Sequence, residues 1–121
     1  SWTKLTARIG NRCQIVGDDL LTTNAQRIQK AIDLKACNSV LIKVNQIGTI
    51  TETIKAIKLA DSAGFTSVIS HRGGETNDDL IADLCVGTGS WQSKFGGPDR
   101  GERVAKYNRL LRIGESLAKK K

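Results

Sequence analysis

Apolar residues recur along this chain in two alternating rhythms: short unbroken runs, and longer stretches apolar at every third or fourth position. Trp2, Leu5 and Ile9 share one face of a short helix that Gly10 can end. The run Cys13-Gln14-Ile15-Val16, closing on Gly17-Asp18-Asp19, predicts a first strand. A helix follows over 24–35, with Ile28, Ala31 and Ile32 inward and Thr23 or Asn24 as its cap. Residues 39–44, apolar but for Ser39 and Lys43, read as a parallel strand covered on both faces, and 45–48 as a loop. Thr49 and Glu52 have capping-box spacing, so the next helix runs from there to Gly64, with Ile54, Ile57 and Leu59 among its apolar positions. Thr66–Ser70 is the third strand, ending on His71-Arg72. A glycine-containing loop, 73–76, leads to a helix over 78–85 and a short fourth strand over 91–94. Gly96-Gly97-Pro98 breaks the chain before a last helix over 99–118, with Val104, Leu110, Leu111 and Ile113 as core candidates.

Strand-helix alternation of this kind predicts an α/β fold with parallel strands and right-handed crossovers. It is compatible with a small doubly wound sheet or with half of an eight-stranded barrel. Asp18, Lys43, His71 and Lys94 each stand at or near the C-terminal end of one predicted strand, 23 to 28 residues apart. Barrel active sites are assembled at that end, with one or two groups from each strand. A doubly wound sheet instead gathers its ligand groups at one switch point, often with a Gly-x-Gly-x-x-Gly turn that this chain lacks. The tips therefore favour the barrel.

Length and charge refine the picture. With 121 residues and 39% hydrophobic content the chain fits one domain, and no linker or low-complexity run marks an internal boundary within 1–121. No stretch approaches the roughly 20 apolar residues of a bilayer span, and Ser1-Trp2-Thr3-Lys4 opens no signal segment, so a soluble, cytoplasmic chain is expected. Absence of Met leaves both a trimmed start and an internal fragment open. Cys13, Cys37 and Cys85 are odd in number and widely spaced, each in an apolar context that predicts a small buried thiol. The net charge of +7 raises the question of nucleic acid. Most of the excess lies in residues 94–121, which hold nine Lys/Arg against three Asp/Glu and end on Lys119-Lys120-Lys121. A solvated helix face explains that run, and with only 4% aromatics a base-stacking platform is poorly supplied.

Taken singly, each tip has an ordinary reading. Lys43 could snorkel from a strand end, Asp18-Asp19 could cap a helix, and His71-Arg72 could belong to a hydrogen-bonded loop. Together they describe one chemistry. A lysine base, a hard-cation carboxylate and several cations suit proton abstraction next to a carboxylate, with the resulting ene-diolate held by positive charge.

The residues also carry a family pattern. Val16-Gly17-Asp18-Asp19-Leu20, Leu41-Ile42-Lys43-Val44-Asn45-Gln46-Ile47-Gly48, Ser70-His71-Arg72-Gly73-Gly74-Glu75-Thr76, Ile81-Ala82-Asp83-Leu84, Lys94-Phe95-Gly96 and Arg103-Val104-Ala105-Lys106-Tyr107-Asn108 stand in order and at family-like spacing. The chain resembles the enolase family (phosphopyruvate hydratase) over nearly its whole length, as the C-terminal half of the (β/α)8 TIM barrel with about four parallel strands. Enolase-superfamily sites use a Lys or His base with magnesium.

The resemblance implies a lyase that, in the complete enzyme, dehydrates 2-phosphoglycerate to phosphoenolpyruvate in glycolysis. It implies Lys43 as the base at carbon 2 and Asp18 as one of three carboxylates on Mg2+. His71 would lie near the hydroxymethyl and phosphate end of the substrate, Arg72 on the phosphate with Ser70 and Gly73 in the same binding stretch, and Lys94 on the carboxylate. The other two metal carboxylates and the acid for the leaving hydroxyl would precede this segment, so the isolated chain is expected to be inactive. The missing N-terminal half, or another chain, would cover its open barrel edges. Gly73 stands where the family generally has a phosphate-contacting Ser, and Phe95 replaces a small Thr beside Lys94, which would crowd the pocket. The alternative is an enolase-derived, non-catalytic module serving a structural or RNA-associated role.

Overall fold

The structure, a computed structural model, describes residues 1–120; Lys121, the end of the basic tail, lies outside the described residues. The elements run α1 (Trp2–Ile9), β1 (Val16–Gly17), α2 (Ala25–Asp33), β2 (Ser39–Ile42), α3 (Val44–Ile47), α4 (Ile50–Ser62), β3 (Thr66–Ser70), α5 (Leu80–Gly87), β4 (Gln92–Lys94) and α6 (Gly101–Ala118). The strands are parallel, in the order β1-β2-β3-β4, with Val16 opposite Ser39 and Gly17 opposite Val40. Strand-helix alternation is therefore as the sequence predicts. The chain divides into two compact units, Ser1–Val68 and Ile69–Lys121, with the boundary inside β3.

In the first unit, β2 is buried along its whole length, and Val40 and Ile42 have no exposure. Helix α2 turns Ile28 and Ala31 inward, and α4 turns Thr53, Ala56, Ile57 and Ala60. These two helices pack on one another. Both predicted caps form. Asn24 Oδ1 accepts from Arg27 N at 3.1 Å, and Thr49 Oγ1 accepts from Glu52 N at 3.2 Å while lying 2.7 Å from the Glu52 carboxylate.

Strand β1 is shorter than its apolar run: Ile15 O still accepts from the Asn38 and Ser39 backbone N–H groups at 3.1 Å, but the Ile15 N–H goes to a side chain. Asn38 Oδ1 accepts from Ile15 N at 2.6 Å, and its Nδ2 donates to Gly10 O and Cys13 O at 2.9 and 3.0 Å. Cys13 then sits in the turn after α1 with its N–H on Ile9 O at 2.9 Å, and it is exposed, contrary to the expected buried thiol; Cys37 and Cys85 are buried. The stretch expected as a loop after β2 is the single helical turn α3. Gly48, at φ +100°, closes that turn with its N–H on Val44 O at 2.9 Å, a conformation that glycine adopts without strain.

In the second unit, α5 and α6 pack together, with Ala82, Leu84 and Cys85 buried. The core candidates on α6 are only partly correct. Val104, Leu110 and Ile113 are half-buried, whereas Leu111, one position off that stripe, is 67% exposed. The one buried residue of α6 is Lys106. All three residues of β4 are exposed, and so is Trp91 before it.

Candidate active site

The tip of β2 carries the first group. Lys43 follows the buried strand directly and retains 8% exposure, so its stem is packed in the core. Its Nζ donates to Asp18 Oδ1 and lies 3.4 Å from Asp19 Oδ1, whose side chain faces solvent. Asp18 is held in turn by its own backbone, its carbonyl accepting from Leu21 N at 2.9 Å and Thr22 N at 3.0 Å. The Lys43 backbone is fixed separately. Thr23 Oγ1 accepts from Lys43 N at 2.9 Å and donates to Gln46 Oε1 at 2.8 Å, with no exposure of Thr23 at all.

That clamp requires an unfavourable backbone. Thr22 and Thr23 are consecutive β-branched residues at φ +49° and +55°, where such side chains are genuine outliers. Strain of about 1–3 kcal/mol per residue persists only where surrounding structure enforces it, and it clusters at functional sites. Here it sets a buried hydroxyl against the backbone of the candidate base. The sequence pattern gave Thr23 only as a possible cap, so this role was missed.

The second unit holds the remaining predicted residues at the ends of β3 and β4. His71 N donates to Lys94 O at 2.9 Å, so the backbone joins these two tips. Ser70 is buried and its hydroxyl donates to His71 O at 2.9 Å. Arg72 N donates to Glu75 Oε1 at 2.8 Å, closing the turn that contains Gly73. Gly73 is exposed, with open space where a Cβ would stand. Lys94 is exposed.

His71 is half-buried, and its Nδ1 is a buried nitrogen without a hydrogen-bond partner. Loss of water pushes the imidazole below its ordinary value, Arg103 adds repulsion, Glu75 opposes it, and Lys94 and Lys106 lower it further. A neutral imidazole at neutral pH follows. Gly96, at φ +80°, permits the close approach: a Cβ there would come within 2.6 Å of Arg103 Cδ and 2.9 Å of His71 Cε1.

Over residues 1–121 the chain matches the family described as enolase, C-terminal TIM barrel domain. It belongs to that family. Three proteins named enolase, from Bifidobacterium longum strain DJO10A, subspecies infantis and strain NCC 2705, are each 61% identical to it over 116 residues. Those residues are 96% of this chain and 27% of each relative, so the chain spans about a quarter of the length of the curated relatives it matches.

As part of an enolase barrel domain, the chain departs from expectation at Phe95. Its ring is 1% exposed and meets Tyr107 edge-on at 6.0 Å, so it fills the core of the second unit. Tyr107 also donates its hydroxyl to Gly96 O. Lys106 is a further group that the pattern did not single out. It lies four positions from Leu110 and seven from Ile113, and a lysine on an apolar stripe is the signal that could have found it. The basic excess is also partly neutralised. Arg100, Arg103, Lys106 and Arg109 pair with Glu102, Asp99, Glu75 and Asp83 respectively, and the Arg109–Asp83 contact is two-pronged at 2.7 and 2.8 Å. Among the described residues, no helix is long and apolar enough to cross a membrane.

A divalent cation fits these residues in part. Asp18 commits Oδ1 to Lys43, which leaves its second oxygen for a hard ion. Magnesium prefers octahedral oxygen coordination, and among the described residues no three His, Cys, Asp or Glu side chains gather. Asp18 alone therefore does not make a magnesium site among the described residues.

Proposed function

We propose that this chain contributes Lys43, Asp18, Ser70, His71, Arg72, Gly73 and Lys94 to the active site of a glycolytic enolase. The complete enzyme would dehydrate 2-phosphoglycerate to phosphoenolpyruvate with Mg2+. The observation that carries the reading is Lys43: a core-packed lysine at the C-terminal end of a parallel strand, its Nζ on Asp18 Oδ1 and its backbone clamped by a strained threonine. Family membership supplies the reaction.

Lys43, as the neutral amine, takes the proton from carbon 2 and becomes the ammonium, and the electron pair left behind spreads into the substrate carboxylate as an ene-diolate. The hydroxyl on carbon 3 then leaves as water, its proton supplied by an acid from outside these 121 residues, and the electron pair forms the double bond between carbons 2 and 3. Mg2+, when bound, supplies positive charge to the carboxylate, and Asp18 would be one of its ligands. Lys94 meets the same carboxylate, Arg72 binds the phosphate with Ser70 and Gly73 in its loop, and neutral His71 sits toward the hydroxymethyl end. Preorganised positive charge of this kind lowers a barrier because it need not reorient as charge develops. A cytoplasmic setting belongs to the same proposal and rests on the family alone. An RNA-associated role has less support, since four of the nine cations in residues 94–121 are engaged by carboxylates.

The test is solvent deuterium exchange at carbon 2 in a complete barrel containing these residues. Lys43→Met should slow exchange by about 10²–10⁴. Exchange at the parent rate would remove Lys43 from the role of base. The 121 residues alone should show no magnesium-dependent turnover.

A further inference from the structure

Lys106 has no exposure, yet it carries a charge into the core of the second unit. Its Nζ donates to Thr76 O at 2.8 Å and Glu102 O at 2.7 Å, and it pairs with Glu75 Oε2 at 3.0 Å. Three protons meet three acceptors. Desolvating an ammonium is costly, and an apolar side chain of similar volume often serves stability as well or better. A buried ion pair therefore points to a geometric requirement more than to stability.

That geometry is visible on the other side of Glu75. Its Oε1 accepts from Arg72 N at 2.8 Å while Oε2 is on Lys106, so one carboxylate links α6 to the backbone of Arg72. Between Arg72 and Glu75 lie Gly73 and Gly74, with open space where a Cβ would stand. Two glycines give the segment wide conformational freedom, which must be removed to hold Arg72 in one place. Lys106 grips the loop at Glu75 and again at Thr76.

We propose that Lys106 is a positioning residue: acting through Glu75, it fixes the backbone of Arg72 and so aims the phosphate-binding loop. This role rests on the reading of Arg72 given under Proposed function. Unlike Lys43, it touches no reacting atom.

The experiment compares Lys106→Met and Glu75→Gln with Arg109→Gln in the complete protein. Arg109 is also on α6 and ion-paired, but its partner Asp83 lies outside the 71–76 loop. For the first two variants kcat/KM for 2-phosphoglycerate should fall roughly 10- to 100-fold, chiefly through KM, as misplacement of a binding group by about 1 Å would produce. Amide hydrogen exchange at Arg72 should accelerate at least about tenfold while exchange within β3 stays at the parent rate. Arg109→Gln should lower the melting temperature alone. Glu75→Gln keeps the side-chain shape but leaves one oxygen for two donors, so it decides the matter if Lys106→Met does not fold. Folded variants with parental KM and parental Arg72 exchange would overturn the proposal. If the parent protein shows no turnover, it is the reading under Proposed function that fails. The exchange rate needs no substrate, so it still decides whether Lys106 braces the loop.

Discussion

Replacing Phe95 by the small Thr that the family generally carries should destabilise the protein and leave substrate access unchanged. Sequence comparison alone suggests the reverse, that the ring crowds the pocket beside Lys94. But Phe95 is 1% exposed and packs edge-on against Tyr107, with the planes at 67°. Truncating a buried Phe to Ala costs about 3–5 kcal/mol through lost transfer energy and the cavity left behind. The edge-on aromatic pair accounts for roughly 0.5–1.5 kcal/mol within that. Thr refills a little volume, but an unpartnered hydroxyl costs about 1–3 kcal/mol, which offsets the gain. The net expectation for Phe95→Thr is therefore about 3–5 kcal/mol, a large share of an ordinary domain's roughly 5–15 kcal/mol. Urea unfolding followed by far-ultraviolet circular dichroism is the assay. With a slope of about 1–3 kcal/mol per molar, the midpoint should fall by at least about 1 M at unchanged slope. A parental midpoint together with a lower KM for 2-phosphoglycerate would refute the reasoning and restore the crowded pocket.

His71 should titrate below 6.5 by NMR, because burial and then the Arg103 charge disfavour its imidazolium. Its unfolded state then binds more protons as pH falls through 6.5 toward the folded value. The stability it contributes is full above 6.5 and lost on acidification, and His71→Asn should flatten that slope; a titration at or above 6.5 would contradict this. Gly73→Ser enters open space and should change stability by no more than about 0.5 kcal/mol. It should tighten phosphate binding by roughly 0.5–1.5 kcal/mol, so unchanged substrate affinity would count against the loop's assigned role.

What could be read from the sequence was what depends on near neighbours. The Asn24 and Thr49 caps span three residues each, and both form as their spacing predicts, although Glu52 returns to the Thr49 hydroxyl and not to its backbone N–H. Lys43 stood out because a charge interrupting an apolar run needs a reason, and the reason is 25 residues away at Asp18. Lys106 stands on the stripe of Leu110 and Ile113, but a lysine within a basic helix is easily read as solvated, and its main-chain partner Thr76 lies 30 positions earlier. Helix α3 was missed because four residues of mixed character carry no period; the turn follows from the left-handed Gly48. Cys13 was misjudged because its carbonyl is taken by the side chain of Asn38, 25 residues on, and its N–H by Ile9, so it stays in a turn outside the sheet.

The cysteine distribution gives each compact unit its own chemical clock. Cys37 lies in the first unit and Cys85 in the second, both buried, and loss of solvent pushes each thiol up from its ordinary value. The thiolate is the form that alkylates, so both sites should be silent toward iodoacetamide until their unit opens. Cys13, exposed at the end of α1, should react at once and serve as the internal reference. Peptide mapping after timed alkylation then yields two opening rates from one sample. Equal rates would mean that the units unfold as a single cooperative body, and unequal rates would identify the one that yields first.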